Sequence, residues 1–253
     1  MLNFKKAFSL LELAMTVFVI GLLLVAVATG KNLLHTSKLN ALLTEIKSID
    51  NAIINFKQTY EAYPGDFTKA SKFWGGSLDG DGDGKIDHLA NSAGTSSEVV
   101  MAGHHLKSAG LIESAIPSTE ENTDTYKSYI KSQHFSAHAG FLVTSFTRIN
   151  QTTTNRNDIS SNKNITLRFG AGFNSSNSHV LTAIFSTDDA YKMDYKIDDG
   201  LPFTGKFGAG NDNANATDNT GYCVNVTASP ATYDFTDTQS IQCSISYDIS
   251  QQL

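Results

Sequence analysis

The chain has 253 residues, of which 40% are hydrophobic and only 17% charged, with 19 Lys+Arg against 25 Asp+Glu and a net charge of −6. So low a charge fraction excludes a disordered polyelectrolyte, and no cluster of Lys or Arg supplies the basic face of a nucleic-acid binder. Glycine is frequent (19) and proline scarce (4), among many Asn, Ser and Thr, a mixture that suits a secreted, loop-rich β domain.

The chain begins with a short segment, residues 1–7, that carries Lys5 and Lys6. A run from Phe8 to Gly30 comes next, and from Leu13 to Gly30 it contains no charge. A helical rise of ~1.5 Å per residue makes Phe8–Thr29 about 33 Å long, enough to cross a bilayer. Two lysines ahead of the run predict a cytoplasmic start and export of the chain beyond Gly30. Glu12 is the anomaly, because a carboxylate in hydrocarbon costs on the order of 3 kcal/mol. Three processing schemes compete. A secretory signal would be cut after Ala26-Val27-Ala28, a plain anchor would stay intact, and a third type would be cut after Ala7, leaving the helix on the mature chain. Glu12 suits the third and suits the others poorly.

Ala7-Phe8-Ser9-Leu10-Leu11-Glu12-Leu13, with Gly21 further along, resembles the N-terminus of type IV pilins and type II secretion pseudopilins. The resemblance covers about 23 residues and is a specific motif. It implies cleavage by a prepilin peptidase after Ala7, methylation of the new terminus at Phe8, and an assembly role for Glu12. Ala7 stands where Gly is usual, and Thr29 where many pilins have proline. The physical logic is charge pairing. The amine of Phe8 stays cationic when methylated and meets Glu12 of an adjoining subunit, since a lone buried charge is strongly unfavourable. The resemblance further implies a bacterial inner-membrane precursor that enters a periplasmic or extracellular filament with other pilins. The alternative is a minor or tip pilin whose head binds a surface or ligand.

Beyond Lys31 the pattern becomes amphipathic. Leu39, Leu42, Leu43, Ile46, Ile49, Ile53 and Phe56 recur at steps of three and four, which predicts one helix face running to about Thr59. Lys38, Glu45, Lys47 and Asp50 mark the other face. Tyr63-Pro64-Gly65 then predicts a turn.

Asp79-Gly80-Asp81-Gly82-Asp83-Gly84-Lys85-Ile86-Asp87 spaces carboxylates at positions 1, 3, 5 and 9 of a calcium loop, with Gly at 6. Calcium takes six to eight oxygens, which a Gly-rich loop can supply from Asp79, Asp81, Asp83 and Asp87 with the Lys85 carbonyl. Position 12 is Ala90, so the usual Glu is missing, and Asp66 or Glu98 could complete the shell. The bland alternative is a solvated acidic turn.

Residues 96–114 predict a second helix, and segments around 141–148, 165–169, 179–185, 222–227 and 241–247 have strand composition. Residues 149–164 and 207–221 read as polar loops. Asp188, Asp189, Asp194, Asp198 and Asp199 form a second acidic region, either a turn at Asp199-Gly200 or a further calcium site. His134 and His138 read as exposed. His104-His105 reads as one exposed and one packed histidine. Two cysteines are too few for a disulfide scaffold or a Cys-ligated zinc site, and Cys223 with Cys243 reads as one disulfide outside the cytosol. No nucleophile elbow, phosphate loop or HExxH is present, so the reading is not an enzyme.

The expectation is an α+β protein. A long N-terminal spine helix, transmembrane in its first half and amphipathic in its second, packs on an exported globular head with an antiparallel sheet. The boundaries are a leader at 1–7, a transmembrane and assembly helix at 8–30, and spine continuation plus head at 31–253.

Overall fold

The computed structural model describes residues 9–76, 79–86, 98–113, 130–135, 139–146, 161–173, 181–211, 223–225, 228, 230–236 and 240–249. The chain divides into two compact units, residues 1–41 and 42–253. Ala7, Phe8, Asp87 and His138 lie outside the described residues.

Helix α1, Leu10–Tyr60, runs for 51 residues. Its large apolar side chains from Leu10 to Val27 are all exposed, and the helix is long and apolar enough to cross a membrane. Burial of such a stripe in lipid satisfies both its side chains and its fully hydrogen-bonded backbone. Within the second unit the character changes as the periodicity predicts. Leu42, Leu43, Ile46, Ile49, Ile53 and Phe56 are buried. The helix ends because Glu61 adopts a left-handed φ of 56°, its N–H bonded to the Lys57 carbonyl at 2.9 Å, and the Pro64-Gly65 turn comes directly after.

Two short helices succeed it, α2 (Ala70–Trp74) and α3 (Glu98–Ser108). α3 falls inside the predicted 96–114 span; α2 is too short to leave a periodicity. Phe56 of α1 stacks on His105 of α3, ring centroids 5.9 Å apart and nearly parallel, and Phe67 and Trp74 close the cluster. His105 is fully buried and His104 partly so.

The sheet is antiparallel. Among the described residues its strands are β1 (Ile130–Lys131), β2 (Ala139–Phe146), β3 (Ser161–Phe173), β4 (Leu181–Thr182), β5 (Phe185–Ser186), β6 (Phe207–Asn211) and β9 (Ile241–Asp248), with β7 (Val224–Asn225) and β8 (Thr232–Tyr233) forming a separate hairpin. The order is β1-β2-β3-β9-β5, with β4 on β3 and β6 on β9. β9 pairs β3 through Ile245–Asp248 and β6 through Cys243–Tyr247, so these two neighbours flank it on opposite edges. Phe141, Phe169 and Ile245 lie in register across three strands and are buried.

The structure departs from the sequence reading in three places. Residues 207–211 are not loop but β6: Phe-Gly-Ala-Gly-Asn is held by backbone pairing to β9, which small residues permit. Residues 161–164 belong to β3. The segment 187–197, read only as acidic, is helix α4 (Thr187–Ile197), N-capped by Ser186, whose side chain accepts from Asp189 N.

Cys223 and Cys243 form a disulfide with Cα atoms 5.1 Å apart, both fully buried, tying the β7–β8 hairpin to β9. A loop of 20 residues closed this way stabilises by about 3 kcal/mol through the unfolded chain. Replacing both cysteines by alanine is therefore expected to lower the urea midpoint by that free energy divided by the m-value, about 1–3 M. An unchanged midpoint would mean that hydrogen bonds alone hold the hairpin.

Candidate metal centre

Three segments of the second unit converge: the turn at Gly65-Asp66, the loop 79–86, and the first residue of α3. Glycine makes the approach possible. A Cβ on Gly80 would lie 2.3 Å from the Gly65 carbonyl oxygen, and one on Gly65, whose φ is +100°, would lie 2.5 Å from the Glu98 carbonyl oxygen. The loop is then stitched down at its far end. Ile86 N donates to Ser145 Oγ at 2.5 Å, and Ser145 N donates to the Ile86 carbonyl at 3.1 Å, fixing the loop to β2. Gly65 N donates to His105 Nδ1 at 2.8 Å, so α3 holds the turn in place.

This crossing brings Asp66, Asp81, Asp83 and Glu98 together, with one carboxylate oxygen from each lying within 4.8 Å of the others. Asp66 and Glu98 are buried, while Asp81 and Asp83 are exposed. Backbone donors orient the group: Gly84 N to Asp66 Oδ2 at 3.1 Å, Asp81 N to Glu98 Oε1 at 3.0 Å, and Asp83 N to Asp81 Oδ1 at 3.1 Å. The Lys85 ammonium lies 3.2 Å from Asp83 Oδ2. Asp66 Oδ1 is buried and has no hydrogen-bond partner among the described residues. A buried, unpaired carboxylate oxygen is costly unless a cation meets it. The electrostatics agree. Burial pushes the Asp66 carboxyl up to about 6, opposed by the N–H groups of Gly84 and Gly82 and reinforced by the charges of Asp83 and Asp81.

Of the residues that spacing singled out, Asp81 and Asp83 are in the cluster. Asp79 is turned elsewhere: its carboxylate accepts from Ser71 N at 2.7 Å and Ser71 Oγ at 2.6 Å, which holds it below the usual carboxylate range. Asp79 thus anchors α2. The places left open in the loop pattern are taken by Asp66 and Glu98, donors from other segments. The His105 support could not be read from the sequence, because nothing in the spacing ties residue 105 to residue 65.

The second acidic region behaves differently. Asp194, Asp198 and Asp199 also approach one another. Asp194 accepts from Gly200 N and Tyr233 Oη, Asp198 from Asp199 N, Lys206 N and Phe207 N, and Asp199 from Leu201 N and Thr204 Oγ1. Every one of these carboxylate oxygens is taken by a protein donor, so the region is a hydrogen-bonded turn. His134 lies in a bend.

Comparison with protein-family models, with curated proteins and with solved structures finds no match.

Proposed function

We propose that the chain is a structural subunit of a type IV pilus-like or type II secretion pseudopilus filament, cleaved and N-methylated by a prepilin peptidase, and that its head binds calcium. The observation that carries the first part is α1. An exposed apolar stretch carrying one carboxylate, Glu12, continues without a break into an amphipathic stretch buried in the second unit. A membrane anchor alone needs neither the carboxylate nor the continuation. A spine that leaves the membrane to pack against its neighbours needs both. The work so described is assembly, not catalysis. The precursor sits in the bacterial inner membrane, and the mature chain in a periplasmic or extracellular filament.

Calcium suits the four-carboxylate cluster on chemical grounds. Oxygen-only donors select hard cations, and two exposed carboxylates leave room for water to complete six to eight ligands. Magnesium dehydrates reluctantly and demands a regular octahedron. Asp66 and Glu98 supply the buried side of the shell, and Asp81 and Asp83 the open side.

Processing gives the direct test of the filament reading. Mass spectrometry of the chain from membranes is expected to find methylated Phe8 as the terminus. A terminus at Thr29 would instead establish a cleaved secretory signal and remove the membrane-spanning half of α1.

A further inference from the structure

Helix α4 ends in a corner that owes nothing to the acidic pocket or to a filament role. Asp194 is fully buried there, accepting from Gly200 N at 3.2 Å and from Tyr233 Oη at 2.6 Å. Asp198, one turn later, accepts from Asp199 N, from Lys206 N and from Phe207 N at 2.8 Å, where β6 begins. The two carboxyl groups approach within 4.8 Å. Acids four apart on a helix repel, and a helix C-terminus disfavours negative charge. One proton held between them turns that repulsion into a charge-assisted hydrogen bond. The donors decide where it sits. Three backbone N–H groups favour an ionised Asp198, whereas the deeper Asp194 receives one N–H and one phenol.

The groups facing this corner come from several elements. Tyr233 comes from β8, and Asp198 and Asp199 from the end of α4; Lys206, from the segment before β6, faces the corner with its backbone N–H, its ammonium acting on Asp50 of α1. Tyr247 of β9 senses Asp198, Asp50 and Asp248. On α4 itself Asp188 pairs with Lys192 away from the corner. Burial, and then the bond to Asp198, push the Asp194 carboxyl up to about 8. Burial also acts to raise Asp198, but the bond from Asp194 and the N–H groups of Phe207, Asp199 and Lys206 outweigh it and hold Asp198 low. Burial and the neighbouring acids push Tyr233 up, so it remains a donor throughout.

We propose that Asp194 and Asp198 form a one-proton latch: the shared proton ties α4 to the 198–207 turn and to β8, and the corner loosens as rising pH removes it. The sign comes from linkage. The closed corner binds the proton more tightly than an open one, in which Asp194 has its ordinary affinity. Opening therefore releases one proton across the range between about 4 and about 8. The latch is tightest in acid, weakens steadily through neutrality and levels off above about 8. The disulfide from Cys223 to Cys243 keeps the loosened hairpin attached to β9, so the opening is local.

The test is amide hydrogen exchange at Gly200 and Phe207 in the full chain in detergent micelles, comparing wild type with Asp194→Asn from pH 5.5 to 7.5. Asparagine mimics the neutral carboxyl and does not titrate, so the ratio cancels the intrinsic pH dependence of exchange. The expected result is a loss of relative protection of roughly tenfold per pH unit in wild type. A constant ratio would overturn the latch. Should Asp194→Asn fail to fold, carboxyl-carbon NMR of wild type decides. One aspartate titrating near 8 supports the proposal, and an Asp194 titrating in the ordinary carboxylate range refutes it.

Discussion

Removing calcium with a chelator is expected to lower the melting temperature of the detergent-solubilised chain by about 5–10 °C, the equivalent of the roughly 2.7 kcal/mol that a ligand at 100 times its dissociation constant adds to the native state. The four carboxylates make the effect two-sided. Without a cation, Asp66, Asp81, Asp83 and Glu98 repel one another, and Asp66 Oδ1 is buried with no partner among the described residues. With one, the same charges are what bind it. Asp66→Asn should therefore be more stable than wild type in chelator and less stable in calcium. An acidic turn would show no such crossing. The double change Asp81→Asn and Asp83→Asn should abolish the calcium response. Acidity should act in step. The folded Asp66 carboxyl is raised to about 6, so in chelator its contribution to stability is fully present in acid and is lost as pH rises through that value. The calcium increment should accordingly be larger at pH 7.5 than at pH 5. Identical melting curves with and without calcium, with neutral Asn variants, would reduce the loop to a solvated turn.

Legibility in the sequence divides along physical lines. The second half of α1 was legible because seven apolar residues repeat at helical spacing, and its end because Pro64-Gly65 cannot continue it. The Cys223–Cys243 bond was legible because only two cysteines exist to form one. β6 was not. Phe207–Asn211 has loop composition and becomes a strand only because β9 offers an edge. α4 hid for a related reason. Its buried positions are Thr187, Ala190, Met193 and Asp194, so a carboxyl sits where an apolar pattern would be sought. The acidic loop was half legible. Local spacing found Asp81 and Asp83, and the missing ligand at the twelfth position pointed to Asp66 or Glu98, both of which join the cluster. The pattern could not show that Asp79 is drawn off by Ser71, because packing decides which oxygens are diverted.

Glu12→Ala is expected to leave membrane insertion intact or improved, since it removes a charge from an apolar run, and to abolish most filament incorporation. Two roles for this carboxylate must be separated. α1 begins at Leu10, so Glu12 lies exposed in its first turn, where an acid favours the helix start and where Ser9-x-x-Glu12 matches a capping box. That local role is worth about 1 kcal/mol, and glutamine retains most of its hydrogen bonding. Pairing with the amine of an adjoining subunit is a charge effect, and glutamine cannot supply it; the ammonium of Phe8 would be left buried without a counter-charge, at a cost of about 3–5 kcal/mol per subunit. Glu12→Gln is therefore the decisive variant. If Glu12 acts between subunits, Gln fails like Ala, and both chains accumulate, cleaved, in the membrane fraction while the sheared-surface fraction empties. Co-expressed wild-type chain should still assemble and exclude the variants. If Gln assembles and Ala does not, Glu12 serves its own helix. If both assemble as well as wild type, no ammonium needs Glu12, and the chain is a tip-type subunit. A several-kcal/mol cost repeated at every subunit leaves no intermediate outcome for a filament held by that pair, because incorporation falls about tenfold for each 1.4 kcal/mol lost.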